Sequence, residues 1–537
     1  MNPQWIPKLL IIKAILLTLL CGGCNAQTIM PSEEGASASN RPIYYVAPTG
    51  NDLNPGTEAQ PWRTIQKAAD SLIPGDTVYI KAGTYPERVV PQNPGSADNY
   101  IVYAAYPGDM VIIDGASINT PEWGGLFDIT DKDYIRVSGL RIMNAGPGPH
   151  NPGILVEQSN HIVIENNYVY NTSDSGIGVW NSENVSIDNN EVEWACYAGY
   201  NESISIGGTD SFEVKRNHVH HSQKEGIDIK DGSSNGQVFK NHVHHTEAVG
   251  IYIDAWDKHT YNIEVFENIV HDIADSNGLS LASESGGKLE NIRIYNNIAY
   301  HNRYCGLSIS TNGPGGPQGE HPMNGIQVIN NTFYNNGWET WGGGITVDNP
   351  EAQNVVIRNN ISSQNLYFQI ALGPGVLVEN VTIDHNLVDG YRGTEGEIYG
   401  YDYIEGDPKF VYPAGADFHL QQDSPAIDQG FHADAPATDF EGQPRPCGAE
   451  YDIGADEYVV STGCTALPAY RPAGTAPGRF DLGTTRQQAA RKYLVLEEVD
   501  SGKTIKAARL NLLIDLGFDL LRRAAQEILN FDELRKN

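Results

Sequence analysis

The sequence predicts an all-β solenoid, a stack of parallel β-coils, and three observations carry that reading. An asparagine returns at Asn167, Asn190, Asn217, Asn241, Asn268, Asn297, Asn331, Asn360 and Asn386, at intervals of 23 to 34 residues. A short apolar-x-apolar strand precedes each, as in Ile162-Val163-Ile164, and another follows most, as in Tyr168-Val169-Tyr170. A second phrase, a small residue and then Ile-x-aliphatic, comes earlier in each repeat, as in Gly176-Ile177-Gly178-Val179, Gly226-Ile227-Asp228-Ile229 and Gly250-Ile251-Tyr252-Ile253. Self-similarity at a spacing of roughly 20–50 residues marks a solenoid. Helical repeats would need runs of about ten residues with 3.6 periodicity, which this region lacks.

Each coil therefore has three short strands: a glycine strand, a pre-asparagine strand and a post-asparagine strand. Alternation turns the aliphatics inward and the residues between them outward. A side-chain amide both donates and accepts, so stacked asparagines can bond in a continuous row inside one turn.

Composition agrees with a turn-rich β protein: 56 glycines and only 19% charged residues in 537. The net charge of −32 argues against a nucleic-acid partner, whose phosphates demand a basic footprint. Residues 1–24 carry Lys8 and Lys13 around short apolar runs and read as a secretory signal, too short for a membrane span. Leu20-Cys21-Gly22-Gly23-Cys24 resembles a bacterial lipobox, which implies lipidation at Cys24; ordinary cleavage after Ala26 is the alternative. The expected protein is exported, as a surface or periplasm-facing lipoprotein or a secreted form, touching membrane only through that anchor. Residues 25–42 read as a flexible tether.

Residues 64–73 place apolar side chains at helical spacing ahead of Pro74-Gly75, so a short amphipathic helix is expected to plug the first coil. The opening runs from Tyr44-Tyr45-Val46, through Pro48-Thr49-Gly50-Asn51-Asp52, Thr64-Ile65-Gln66 and Pro74-Gly75-Asp76-Thr77-Val78-Tyr79-Ile80, to Gly83-Thr84-Tyr85. It resembles that of secreted bacterial right-handed β-helix proteins of the pectate-lyase-like superfamily. The resemblance implies a right-handed parallel β-helix over residues 43–420. Ser424-Pro425-Ala426-Ile427-Asp428 and Tyr451-Asp452-Ile453-Gly454 resemble a segment that follows β-helices in surface-sorted bacterial proteins, so residues 421–465 are expected to cap the last coil. A linker over 466–486 and a helical tail over 487–537 complete the chain. Cys447 and Cys464 could close a loop; Cys196 and Cys305 fall several coils apart and are not expected to pair.

Aligning the glycine strands gathers chemistry into outward columns. Lys230 and Asp254 fall on neighbouring coils, about 4.8 Å apart, with Asp228 on Lys230's own strand about 7 Å away. Glu284 lies beyond Asp254, and Glu225, Trp256 and Asp257 flank the group. Gly207 is expected to leave a notch between Trp180 and Lys230 where a sugar ring could lie on the indole. Two carboxylates and a lysine edged by aromatics suit polysaccharide chemistry. A lyase needs a base for the proton α to a uronate carboxyl group and a cation to bear the enolate charge. A hydrolase needs paired carboxyls, about 5 Å apart for retention or about 6.5–9.5 Å for inversion.

The expected catalytic set is Lys230 (base or charge stabiliser), Asp254, Asp228 and Glu284, with Trp180, Tyr252, Trp256, Asp257 and Trp341 against substrate. The alternative for Lys230 and Asp254 is a plain surface ion pair. Glu225-Gly226-Ile227-Asp228-Ile229-Lys230 resembles a strand of the superfamily's calcium-dependent pectate lyases, which implies calcium through Glu225, Asp228 and Asp254. The coil after it, Ala248-Val249-Gly250-Ile251-Tyr252, departs from their aspartate-rich pattern.

A second constellation follows the asparagine turns: His218, His220 and His221, then His242, His244 and His245, then His271-Asp272 and His301. Such a set either stacks as a ladder or binds a transition metal. Three functions remain open at this stage: a lyase of uronate-containing polysaccharide, a glycoside hydrolase using the same groove, and a non-catalytic glycan-binding or adhesive solenoid.

Overall fold

In the computed structural model, residues 41–311, 320–338 and 341–459 are described. The signal segment, Cys24, most of the tether, the linker, the helical tail and Cys464 lie outside them. Among the described residues no helix is long and apolar enough to cross a membrane.

Successive coils lie on one another in three parallel sheets. The pre-asparagine sheet has 13 strands, from Ile43–Val46 to Val381–Asp384, and the post-asparagine sheet 13, from Gly83–Tyr85 to Ile404–Glu405. The glycine sheet has 10, from Phe127–Thr130 to Phe368–Leu372. Stacking is in register: Ile177, Ile204, Ile227, Ile251, Leu279, Leu307 and Ile345 form one inward column. With the inward Val and Ile of the other sheets they make one continuous core, each buried aliphatic contributing about 1.5–3 kcal/mol.

Side chains have no room at Gly226 and Gly250, where two of the glycine strands begin. A Cβ at Gly226 would lie 2.4 Å from Val243 Cγ1, and one at Gly250 2.3 Å from Val270 Cγ1. The asparagine row forms as expected. Asn217 Nδ2 donates to Asn241 Oδ1 at 3.0 Å, Asn241 Nδ2 to Asn268 Oδ1 at 3.0 Å and Asn268 Nδ2 to Asn297 Oδ1 at 2.9 Å. The row is unbroken from Asn167 to Asn386. Each Oδ1 also accepts a backbone N–H of the preceding coil, as from Asn217 N at 3.0 Å. The residue before each ladder asparagine is left-handed, from Asn166 (φ 57) through Arg216 (φ 57) to His385 (φ 51), which turns the chain into the next strand.

The N-terminal helix is shorter than its pattern, Ile65–Ala69 rather than 64–73. Thr64 caps it by accepting from Lys67 N, and Leu72 beyond its end still packs in the core with Ile65, Ala68 and Val78.

The C-terminal segment departs from expectation. It lies along the flank of the later coils: Asn330 Nδ2 donates to the carbonyls of Asp452 (2.8 Å) and Gly454 (3.0 Å), and Asn359 Nδ2 to that of Phe431 (2.8 Å). Phe410, Phe418, Leu420, Ile453 and Ala455 form a second core with Ile298, Ile361 and Leu387 there. Apolar residues on the outer face of the post-asparagine sheet create that demand. Cys447 is disulfide-bonded, while Cys196 and Cys305 are free and buried.

Candidate active site

The glycine strands Ile204–Gly207, Ile227–Lys230, Ile251–Asp254 and Leu279–Ala282 set the geometry of the site. Their register pairs Ser205 with Asp228, Asp228 with Tyr252, Tyr252 with Ser280, and Gly207 with Lys230. Asp228, Tyr252 and Lys230 therefore share the outward face of adjacent coils. That face is not an open trough. Asp228 is 2% exposed, Glu284 4%, Asp254 5% and Tyr252 7%.

Part of the cover was not anticipated. Glu202, just before the strand Ile204–Gly207, is buried and sends its carboxylate over the column. Its Oε1 and Oε2 accept from Lys230 Nζ at 2.7 and 2.6 Å, and Oε2 also accepts from Ser205 Oγ at 2.8 Å. Lys230 is thus paired with Glu202, and 3.6 Å from Asp228 Oδ2, rather than with Asp254. Glu202 lies outside the repeated phrase, in an irregular turn, and only its acidic character one coil before Lys230 could have signalled it.

Burial opposes the charge on Lys230, but Glu202 and Asp228 outweigh it and hold the ammonium above the ordinary lysine value. An ammonium so held favours the charge-stabilising half of its expected role over that of a base. Burial, and then the charges of Glu202 and Asp254, push Asp228 well above the carboxylate range. Its Oδ1 is buried and makes no hydrogen bond. Burial, and then Glu284, push Asp254 up to about 8, while Oδ1 accepts from Trp256 N at 3.0 Å. Tyr252 donates its hydroxyl proton to Glu284 Oε1, and burial followed by that charge raises the phenol well above its usual value.

The remaining expected residues are distributed around this cluster. Trp180 fills the place where a notch was expected: a Cβ on Gly207 would lie 2.3 Å from Trp180 Cζ3, so the indole itself lies over the glycine. Lys230 Nζ stands 5.5 Å from that ring's centre. Trp180 also lines a hollow of about 290 Å³ with Trp123, His150, Glu157 and Asp174. Trp256 is 47% exposed, and Asp257 beside it is exposed as well. Trp341 packs against Phe368 and Tyr304 on later coils, away from the cluster.

The calcium set fares poorly. Glu225 is 3.3 Å from Lys224 Nζ, and Asp228 faces the Lys230 ammonium. Among the described residues, the groupings that bring three ligand atoms within 4.8 Å of one another are built on histidines, not on Glu225, Asp228 and Asp254. These residues, with lysines already among them, do not fit a calcium ion.

A parallel β-helix with a covered cluster of carboxyls, a phenol and an ammonium on one sheet defines the class of protein. The chain belongs to the family described as "Pel9A-like, right handed beta helix region", whose profile matches residues 44–354. It is 29% identical to the uncharacterized protein YwoF of Bacillus subtilis (strain 168) over 450 residues, covering 74% of this chain and 93% of that one. With pectate lyase L of Dickeya dadantii (strain 3937) it shares 23% identity over 423 residues, 74% of this chain and 88% of the other. Among solved structures it is similar to pectate lyase Pel9A, with a TM-score of 0.48, 17% identity, and coverage of 77% and 96%.

Proposed function

We propose that this chain is an exported enzyme that cleaves a uronate-containing polysaccharide by β-elimination, and that Lys230, Asp228, Asp254, Tyr252 and Glu284 do the work. The observation that carries the reading is the state of charge in the cluster. In a protein of net charge −32 a polyuronate should be repelled. Here, however, two of the carboxyls are biased toward their neutral form and stand beside a lysine held as a cation. Such a group of donors suits a sugar carboxylate, with Asp228 Oδ1 left without a hydrogen-bond partner inside the cluster.

In the proposed reaction Glu284 takes the proton α to the uronate carboxyl group. The Lys230 ammonium and the Asp254 carboxyl proton face the charge that develops on the sugar carboxylate. The electron pair forms the ring double bond as the glycosidic C–O bond breaks, and Tyr252 protonates the departing oxygen. The Tyr252–Glu284 hydrogen bond then returns the proton to the phenol, restoring the starting state. Calcium has no part in this scheme. Similarity to a protein named pectate lyase supports a uronate substrate, and the leader-like residues 1–24 support export, with lipidation at Cys24 as one form of it.

A second reading is favoured by one observation. Asp254 is pushed up to about 8, with Glu284 as a cause, and a carboxyl that keeps its proton near a second carboxyl is what a glycoside hydrolase needs for its acid. Incubation with a panel of pectic, alginate and neutral polysaccharides separates the readings. Ultraviolet absorbance of unsaturated uronates, arising with new reducing ends, is the expected result. Reducing ends without it mean hydrolysis, and binding with neither means a non-catalytic glycan-binding solenoid.

A further inference from the structure

We infer that the outer face of the post-asparagine sheet is a binding site for a divalent transition-metal ion, with His218, His242 and His244 as its ligands. The three rings come from two adjacent coils. The strand His218–His220 pairs in parallel with His242–His244, His218 opposite His242 and His220 opposite His244. Val219 and Val243 between them point into the core, so alternation turns every one of these histidines outward.

One ring nitrogen from each of His218, His242 and His244 lies within 4.8 Å of the other two. His218 Nε2 is 2.8 Å from His244 Nε2, and His242 Nε2 is 2.8 Å from His271 Nε2 on the next coil. A tetrahedral zinc ion with nitrogen ligands at about 2.0–2.1 Å needs them about 3.3 Å apart, within the 4.8 Å that bounds these three atoms. All three rings are half-buried, so an ion has access from solvent.

A second observation concerns orientation. Asp272 Oδ2 stands 2.8 Å from His271 Nδ1, and its Oδ1 bonds His301 Nδ1. With the proton of His271 taken at Nδ1, its Nε2 accepts from His242 Nε2, so His242 keeps its lone pair at Nδ1 and His271, backed by Asp272, is the outer partner that orients it.

The rings do stack as well, with centroids of His218 and His242 5.1 Å apart and of His244 and His271 5.0 Å apart. Ladder packing and metal binding are compatible, and imidazole ligands suit zinc or copper rather than calcium.

The test is zinc uptake by the untagged full-length chain, measured by equilibrium dialysis and calorimetry with calcium in excess. One zinc per chain is expected, with loss of affinity beyond the about 10- to 100-fold that removing an outer hydrogen bond costs, in His242→Gln and in His244→Gln. His259→Gln, whose partner is Glu290 on another sheet, should bind as the unaltered chain does. Cobalt(II) added to the unaltered chain should show the intense visible bands of a four-coordinate site, which does not depend on any variant folding. Absence of those bands, zinc uptake equal in the His242→Gln/His244→Gln double variant, or displacement by calcium would each overturn the inference and leave a packing ladder only.

Discussion

Lys230 and Glu202 form a two-point ion pair, the ammonium lying 2.7 and 2.6 Å from the two carboxylate oxygens. Their side chains are 14% and 8% exposed, so the pair sits under cover and joins a strand of one coil to the irregular turn of the coil before it.

Removing one partner should therefore do more harm than removing both. Lys230→Ala leaves Glu202 and Asp228 together without their cation and should cost about 3–5 kcal/mol in denaturant unfolding. Turnover should fall by about 10²–10³, the usual effect of losing one electrostatic donor to a developing anion. Lys230→Met combined with Glu202→Gln should recover most of the stability and none of the activity. Unchanged turnover in Lys230→Ala would remove the lysine from the mechanism.

Asp254 should give the protein an alkaline weakness. Its carboxyl is pushed up to about 8 in the folded chain, against about 3.9 when unfolded. Between those values the folded state holds a proton that the unfolded state has lost, so stability falls as pH rises through the window and levels off above about 8. Activity that needs the proton falls over the upper part of the same range. Asp254→Asn should flatten this contribution in melting curves taken from pH 5 to pH 9, and a slope identical to that of the unaltered chain would refute the assignment.

Gly207→Ala tests the place of the indole. The new methyl would meet Trp180 Cζ3 and swing the ring from its seat beside Lys230. A shift in tryptophan emission is expected, with KM raised about fivefold for the roughly 1 kcal/mol of lost ring and cation contact. An unaltered KM would mean that Trp180 does not touch substrate.

Within the amide row, Asn241→Ala orphans several partners at once. Asn217 N and Nδ2 lose their acceptor, and the Val214 carbonyl loses a donor. At about 1–3 kcal/mol for each buried group left unsatisfied, the loss should be several kcal/mol in all. Chemical denaturation would show it; a change below about 1 kcal/mol would mean that water replaces the amide.

The repeated residues made the coil architecture legible, because Asn167 to Asn386 and the glycine strands recur in the same order at every lap, which stacked turns satisfy. The same register sets Lys230 beside Asp228, at 3.6 Å, while the expected pairing with Asp254 gives way to Glu202. What it could not reveal was the cover. Glu202 belongs to no repeat, and whether Asp228 faces solvent depends on how irregular turns fold back over the strand. The C-terminal segment was misplaced for a similar reason: its partners Asn330 and Asn359 lie 122 and 72 residues away, a distance no local pattern encodes.

Because every amide in the row serves the turn above and the turn below, this scaffold has a natural unit of revision. Residues added to an irregular turn leave the row intact, as the intervals of 23 to 34 residues between its asparagines show. Excising or duplicating an entire lap likewise lets Asn190 take the seat of Asn167 with the same bonds, and leaves the polarity of the column unchanged. The length of such a molecule can therefore change by whole laps, each bringing its own outward side chains to the glycine sheet.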